Sequence, residues 1–182
     1  MKILIAYGSR GGVTAEIAGV MAQEMLGAGV DVDVDVDVVD VKDLQDFSPY
    51  QAVLLGSSIW AGQLHPAFLR MVRGHEKALE KLLVGMFVVC LSLASEDPEI
   101  CDRGEHYLDR LELDFPGIVP IVRGAFAGAV TMTTANLVHP SLFERIILFF
   151  VRKKLDVDAR NWEDIRRFAR DFVARVTQDI KN

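Results

Sequence analysis

Residues 2–14 read Lys2-Ile3-Leu4-Ile5-Ala6-Tyr7-Gly8-Ser9-Arg10-Gly11-Gly12-Val13-Thr14. Residues 2–7 form a nearly unbroken apolar run, the pattern of a parallel strand buried on both faces. Gly8 to Gly12 make a turn. From Thr14 to Leu26 the apolar residues Ile17, Ala18, Met21, Ala22 and Met25 recur at helical spacing, with Gly27 and Gly29 as the expected stop. A strand that runs through a glycine-rich turn into a helix is the first unit of a wound α/β sheet. The turn suits a phosphate for three reasons. Its glycines let backbone N–H groups turn inward, Ser9 and Thr14 supply hydroxyls, and the helix N-terminus adds partial positive charge. Arg10 adds a cation able to pair with a dianion. No Lys-Ser/Thr follows the glycines, so this is not a Walker loop, and the spacing is not that of G-x-G-x-x-G. An ordinary glycine-rich turn is the competing reading of the same residues.

Working outward, residues 30–41 read VDVDVDVDVVDV. Strict alternation places Val30, Val32, Val34, Val36 and Val38 on one face and Asp31, Asp33, Asp35 and Asp37 on the other. A strand with one charged face suits a sheet edge, where like charges discourage pairing with other molecules. Carboxylates on one face repeat about every 7 Å, too far apart for a compact cation cage. Ala52 to Gly56 is a third strand, followed by a polar loop over 57–65. A helix begins at Pro66, where a first-turn proline is tolerated, and runs to about residue 82. Val84 to Leu91 is a fourth, wholly apolar strand; 92–98 is a loop; a helix runs to about Leu113. Ile118 to Ala125 is a fifth strand, with Pro120 near its start as befits an edge. The last helix is capped by Asn161 and carries the stripe Trp162, Ile165, Phe168, Ala169, Phe172, Val173 and Val176. Strands alternating with helices predict a doubly wound parallel sheet, with ligands outside the carboxyl ends of its strands.

The chain has 182 residues and is 51% hydrophobic, which supports one buried core and hence a single domain over 1–182. Its net charge of −6 argues against nucleic acid, whose binding rests on Lys and Arg. Cys90 and Cys101 form no CxxC pair and no metal-ligand spacing with the four histidines, so neither a metal site nor a disulfide framework is expected. The apolar start is too short for a signal peptide and runs straight into the turn. No apolar run reaches the roughly 20 residues that span a bilayer. A cytoplasmic protein is the expectation.

Two further loops fall at the same end of the predicted sheet. One is Gly56-Ser57-Ser58-Ile59-Trp60-Ala61-Gly62-Gln63-Leu64-His65. Its tryptophan could stack on a flat ring or anchor the core, and His65 before Pro66 reads more readily as a residue leading into the helix than as a catalyst. The other is Leu91-Ser92-Leu93-Ala94-Ser95-Glu96-Asp97, whose plainer reading is a helix cap at Ser95 or Asp97. The coincidence of three such loops is more informative than any one.

At this point the sequence resembles the flavodoxin family. Ser9 to Thr14 looks like that family's T/S-x-T-G-x-T motif, with Gly11 standing where the motif has its second hydroxyl residue. Within the family the stretches SRGGVT at 9–14, GSSIWAGQLHPAF at 56–68 and NWEDIRRFARDF at 161–172 are similar to the flavodoxin-type, quinone-dependent protoporphyrinogen dehydrogenases. The resemblance implies a flavodoxin-like, five-stranded parallel sheet of order 2-1-3-4-5 and FMN as cofactor. It implies that Ser9, Arg10, Gly11, Gly12, Val13 and Thr14 hold the FMN phosphate. It also implies that Ser58, Ile59, Trp60, Ala61, Gly62 and Gln63, with Ser92, Leu93, Ala94 and Ser95, flank the isoalloxazine. The activity it implies is oxidation of protoporphyrinogen IX to protoporphyrin IX, in haem biosynthesis, with a membrane quinone as acceptor. FMN supplies the chemistry and no protein nucleophile is needed. Two other readings stay open: a flavodoxin-like electron carrier, and a non-flavin interaction domain on the same topology. The residues Tyr7-Gly8-Ser9 and Gly56-Ser57 argue against an acidic receiver pocket.

An inserted segment of about 126–160 precedes the last helix. Within it Ser141 and Glu144 have capping-box spacing, and the run Ile146-Ile147-Leu148-Phe149-Phe150-Val151 is flanked by Arg145, Arg152, Lys153 and Lys154. Residues 143–154 have three readings: packing on the domain, a homo-oligomer interface, or peripheral contact with the inner face of a membrane.

Overall fold

The computed structural model describes residues 1–28, 33–95, 103–130 and 157–181. Strands β1 (Lys2–Gly8), β2 (Asp35–Asp40), β3 (Ala52–Trp60), β5 (Leu83–Cys90) and β6 (Pro120–Ala127) form one parallel sheet in the order β2-β1-β3-β5-β6. This is the expected 2-1-3-4-5 arrangement. The two-residue β4 (Gln63–Leu64) folds back antiparallel on the end of β3. The helices are α1 (Val13–Ala28), α2 (Pro66–Leu79), α3 (Arg103–Asp114) and α4 (Trp162–Lys181).

The central strands β1, β3 and β5 are buried because both sheet faces are covered. On one face Ile17, Met21 and Met25 of α1 meet Ile165, Phe172 and Val176 of α4 over Ile3, Ile5 and Phe87. On the other, Phe68, Met71 and Val72 of α2 and Leu108 and Leu111 of α3 cover Leu4, Val53, Leu55 and Val88. Alternate residues of one strand therefore serve opposite cores, as a period of two requires. The edge strand β2 obeys the same rule: Val34 and Val36 join the α1 side, whereas Val39 and Val41 join the α2 side. The doubled valine at 38–39 lets the strand supply both faces, which leaves Val38 exposed. Asp37 accepts hydrogen bonds from Lys2 Nζ (2.9 Å) and Tyr50 Oη (2.8 Å).

Several boundaries differ from the sequence expectation. Helix α1 runs through Gly27 to Ala28, since a lone glycine costs a helix only about 1 kcal/mol and does not stop it. The third strand continues past Gly56 to Trp60, so residues 57–60 are strand and not loop. The fifth strand includes residues 126–127, and the insertion follows it. Its stem is a short antiparallel pair, β7 (Ala129–Val130) with β8 (Val157–Asp158). The segment 143–154 lies outside the described residues. Asn161 caps α4 as expected, its Oδ1 accepting from the N–H groups of Glu163 and Asp164, each at 3.2 Å. No helix among the described residues is long and apolar enough to cross a membrane.

Candidate functional site

Because β1, β3 and β5 are adjacent and parallel, their following loops leave the sheet at one edge. Gly8 is in register with Ser57, and Ser58 with Val89, so the three loops start at nearly the same level.

The first loop is shaped by its own hydrogen bonds. Gly12 N–H donates to Ser9 Oγ at 3.0 Å, and Gly12 adopts φ +86°, a conformation that disfavours a side chain. Gly12 C=O accepts from Glu16 N–H at 3.0 Å and so opens α1. Thr14 is 1% exposed, and among the described residues its Oγ1 has no hydrogen-bond partner. A buried hydroxyl without a partner costs free energy unless something completes it.

The second loop is a hairpin. Trp60 pairs with Gln63 across the two-residue turn Ala61-Gly62, whose φ values are +50° and +74°. Both central residues are left-handed, the conformation of the tight turns that match strand twist. The sequence signal was weak because Ala is an uncommon residue at such a position. The hairpin places Trp60 beside the first loop, and the guanidinium of Arg10 lies 4.8 Å from the centre of its ring. Arg10 thus stacks on an aromatic face, a contact that the spacing of the sequence did not suggest. Below the turn, Ser57 is fully buried; its Oγ donates to Ser58 C=O (3.1 Å) and accepts from His65 N–H (3.0 Å), fixing the two ends of the hairpin.

Arg10, Ser58, Trp60, Ala61, Gln63 and His65 line one cleft of about 240 Å³. Ser58 Oγ and His65 Nδ1 are buried there without partners among the described residues. His65 packs on Gly8, where a side chain would meet its ring at 3.0 Å. Burial holds the His65 imidazole below its ordinary pKa of 6.5, Lys42 and Arg10 push the same way, and Asp40 opposes them. The site therefore favours the neutral form of the ring. The sequence reads this histidine as a residue leading into the helix; its place beside a buried glycine at a strand end becomes visible only once the sheet is assembled.

The remaining candidates separate. The side chain of Ile59 is buried in the α2-side core, and Val13 packs on the α1-side core. Ser92 to Ser95 belong mainly to a short 3₁₀ turn, Leu91–Ala94, closed by Ser95 N–H to Ser92 C=O at 3.1 Å. Ser92 Oγ sits 2.9 Å from Cys90 Sγ. Leu93 and Ala94 border a larger hollow of about 650 Å³ along β6 rather than the cleft at Trp60. No cluster of three or more His, Cys, Asp or Glu able to hold a metal occurs among the described residues.

Comparisons with known proteins bear on the family and the fold. A family model described as Flavodoxin domain matches residues 4–155. The chain is 28% identical over 183 residues to a protoporphyrinogen IX dehydrogenase (quinone) of Leishmania major, a match covering 95% of this chain and 75% of that protein. It is 33% identical over 101 residues to the Escherichia coli K12 protein of the same name, covering 54% of this chain and 52% of its relative. Among solved structures, rubredoxin oxygen:oxidoreductase of Desulfovibrio gigas aligns with a TM-score of 0.62 at 13% identity, over 100% of this chain and 37% of that one. Oxidised flavodoxin 1 of Bacillus cereus aligns with a TM-score of 0.51 at 17% identity, over 96% and 98%. At these identities the structural likeness is one of fold.

FMN is the cofactor that goes with this fold and family, and the residues present fit it. A glycine turn with Gly12 at positive φ and a buried, unpartnered Thr14 hydroxyl stands at the start of a helix, where a phosphate is favoured. An indole and an unpartnered Ser58 hydroxyl stand at the neighbouring strand end, where a ring needs a flat wall and polar contacts. In its loop chemistry, its strand order and its sequence, the chain belongs to the flavodoxin domain family.

Proposed function

We propose that the chain is an FMN-dependent oxidoreductase that converts protoporphyrinogen IX to protoporphyrin IX and passes the electrons to a quinone. The observation that carries this reading is the likeness to the Leishmania major protein, which runs over 95% of this chain, insertion included. The geometry supports the following roles. Ser9, Gly12 and Thr14 hold the phosphate, the last through the hydroxyl that is otherwise unpartnered. Trp60, backed by Arg10, provides a wall for the ring, while Ser58 and His65 offer hydrogen-bonding atoms at its edge. Held by these residues, FMN would supply two-electron redox chemistry between substrate and quinone, and the six-electron oxidation to the porphyrin would take three such rounds and three quinones. The protein's part is to orient the ring and exclude water. A quinone acceptor calls for contact with a membrane surface, and we assign that contact to the basic and apolar stretch 143–154, with the chain otherwise on the cytoplasmic side.

The test is to incubate the FMN-loaded chain with protoporphyrinogen IX and a soluble quinone under anaerobic conditions, following porphyrin fluorescence. Porphyrin should form only when chain, FMN and quinone are all present. Formation no faster than in the absence of the chain would overturn the substrate assignment.

A further inference from the structure

Arg160 lies between the insertion stem and the cofactor loop, and its side chain is 8% exposed. Its Nε and Nη2 donate to the two carboxylate oxygens of Asp158 in β8, at 2.8 and 2.6 Å. Its Nη1 donates to Glu16 Oε2 at 2.5 Å, across 144 residues of chain. Its guanidinium also stacks 4.4 Å from the centre of the Trp162 ring.

Glu16 matters because of where it stands. It is in the first turn of α1, two residues after Thr14, so its Cα is only about 3 Å further along the helix axis. Side chains on a helix tilt toward its N-terminus, which brings this carboxylate toward the phosphate loop. A carboxylate there is favourable for an isolated helix, but it repels a phosphate bound at the same end. Within about 10 Å such repulsion is only partly screened at moderate salt.

We propose that Arg160 is a positioning residue for the cofactor site: it offsets part of the Glu16 charge in the first turn of α1, and so keeps the helix end receptive to the FMN phosphate. The inference rests on the FMN reading of the Thr14 loop, where an unpartnered buried hydroxyl independently points to a ligand. Arg160, Glu16 and Asp158 together carry one net negative charge. Removing Arg160 alone leaves two, and removing Glu16 and Arg160 together returns the cluster to one. Through the pair, the stem of the insertion and the cofactor loop share one charge balance.

The experiment titrates purified chain with FMN and, separately, with riboflavin, which lacks the phosphate, at low and high salt. Arg160→Met keeps a long stem to lie on Trp162. It should weaken FMN binding about two- to fivefold at low salt and less at high salt, since Glu16 is largely exposed, with riboflavin unchanged. Glu16→Gln combined with Arg160→Met should restore FMN affinity. Equal losses for FMN and riboflavin, or no recovery in the double variant, would overturn the proposal and leave Arg160 a structural clamp. Should Arg160→Met fail to fold, Glu16→Gln alone decides: it should tighten FMN but not riboflavin, and an unchanged FMN affinity refutes the proposal. A wild-type chain that bound riboflavin and FMN equally would instead refute the phosphate site itself.

Discussion

Replacing Thr14 by Val should make the cofactor-free protein more stable and the cofactor-bound protein less so. The side chain is 1% exposed and its hydroxyl has no partner among the described residues. Valine has nearly the same shape, so the substitution opens no cavity, and its helix propensity is close to that of threonine. What changes is the unpaired buried hydroxyl, whose desolvation costs about 1–3 kcal/mol. Taking the lower part of that range, the variant without FMN gains about 1–2 kcal/mol, or about 2–8 °C in Tm for a domain of this size. In the proposed phosphate site the same hydroxyl would make a charge-assisted hydrogen bond to a phosphate oxygen, worth about 1.5–3 kcal/mol. Its loss weakens FMN binding by about 10- to 100-fold. The assay is a pair of thermal melts, followed by circular dichroism with and without a fixed excess of FMN, together with a fluorescence titration. The increase in Tm on adding FMN should shrink in the variant, because ligand stabilisation follows the ratio of free ligand to Kd. A variant that melts lower than wild type without FMN, yet binds FMN equally well, would refute the assignment of this hydroxyl.

Two other predictions bear on the packing of the central strands and on pH. Gly56→Ala would place a methyl group 2.2 Å from Cζ of the fully buried Phe87, so it should cost about 1–3 kcal/mol by overpacking; a lower urea midpoint checks this, and adding Phe87→Leu should recover part of the loss. The half-buried His65 has its pKa held below the ordinary 6.5, chiefly by burial, so between the folded and unfolded values the unfolded chain binds more protons. Its contribution to stability is complete above about pH 6.5 and is lost as the pH falls through the lowered value; urea midpoints measured from pH 7 downward should fall less steeply in His65→Gln.

The parts of the fold that could be read from the sequence are those in which one short stretch carries its own period. Residues 2–14 show an apolar strand, a glycine turn and a helix start, and all three are present. The α4 stripe likewise buries Ile165, Ala169, Phe172, Val173 and Val176 on one face. The hairpin at Trp60 was not legible because its turn uses Ala61 at positive φ, against the usual preference for Asn or Gly. Gly27 misled because a glycine can lie within a helix whose other face is packed. Contacts between distant segments left no local trace: Arg10 on Trp60, His65 on Gly8 and Arg160 on Glu16 depend on how the sheet edge is assembled. The strand-end loops were therefore recognisable from sequence, but only the first two meet at the Trp60 cleft while the third borders a different hollow, and their long-range partners became apparent only from the packing.

The most direct test of the account is equilibrium dialysis of the purified, folded chain against FMN, with the flavin absorbance spectrum and Trp fluorescence recorded on the retained protein. The account predicts saturation at one FMN per chain, a perturbed flavin spectrum and quenched Trp fluorescence, with the quenching reduced in Trp60→Ala. A folded chain that retained no flavin at any FMN concentration would contradict the cofactor site and leave only the architecture standing.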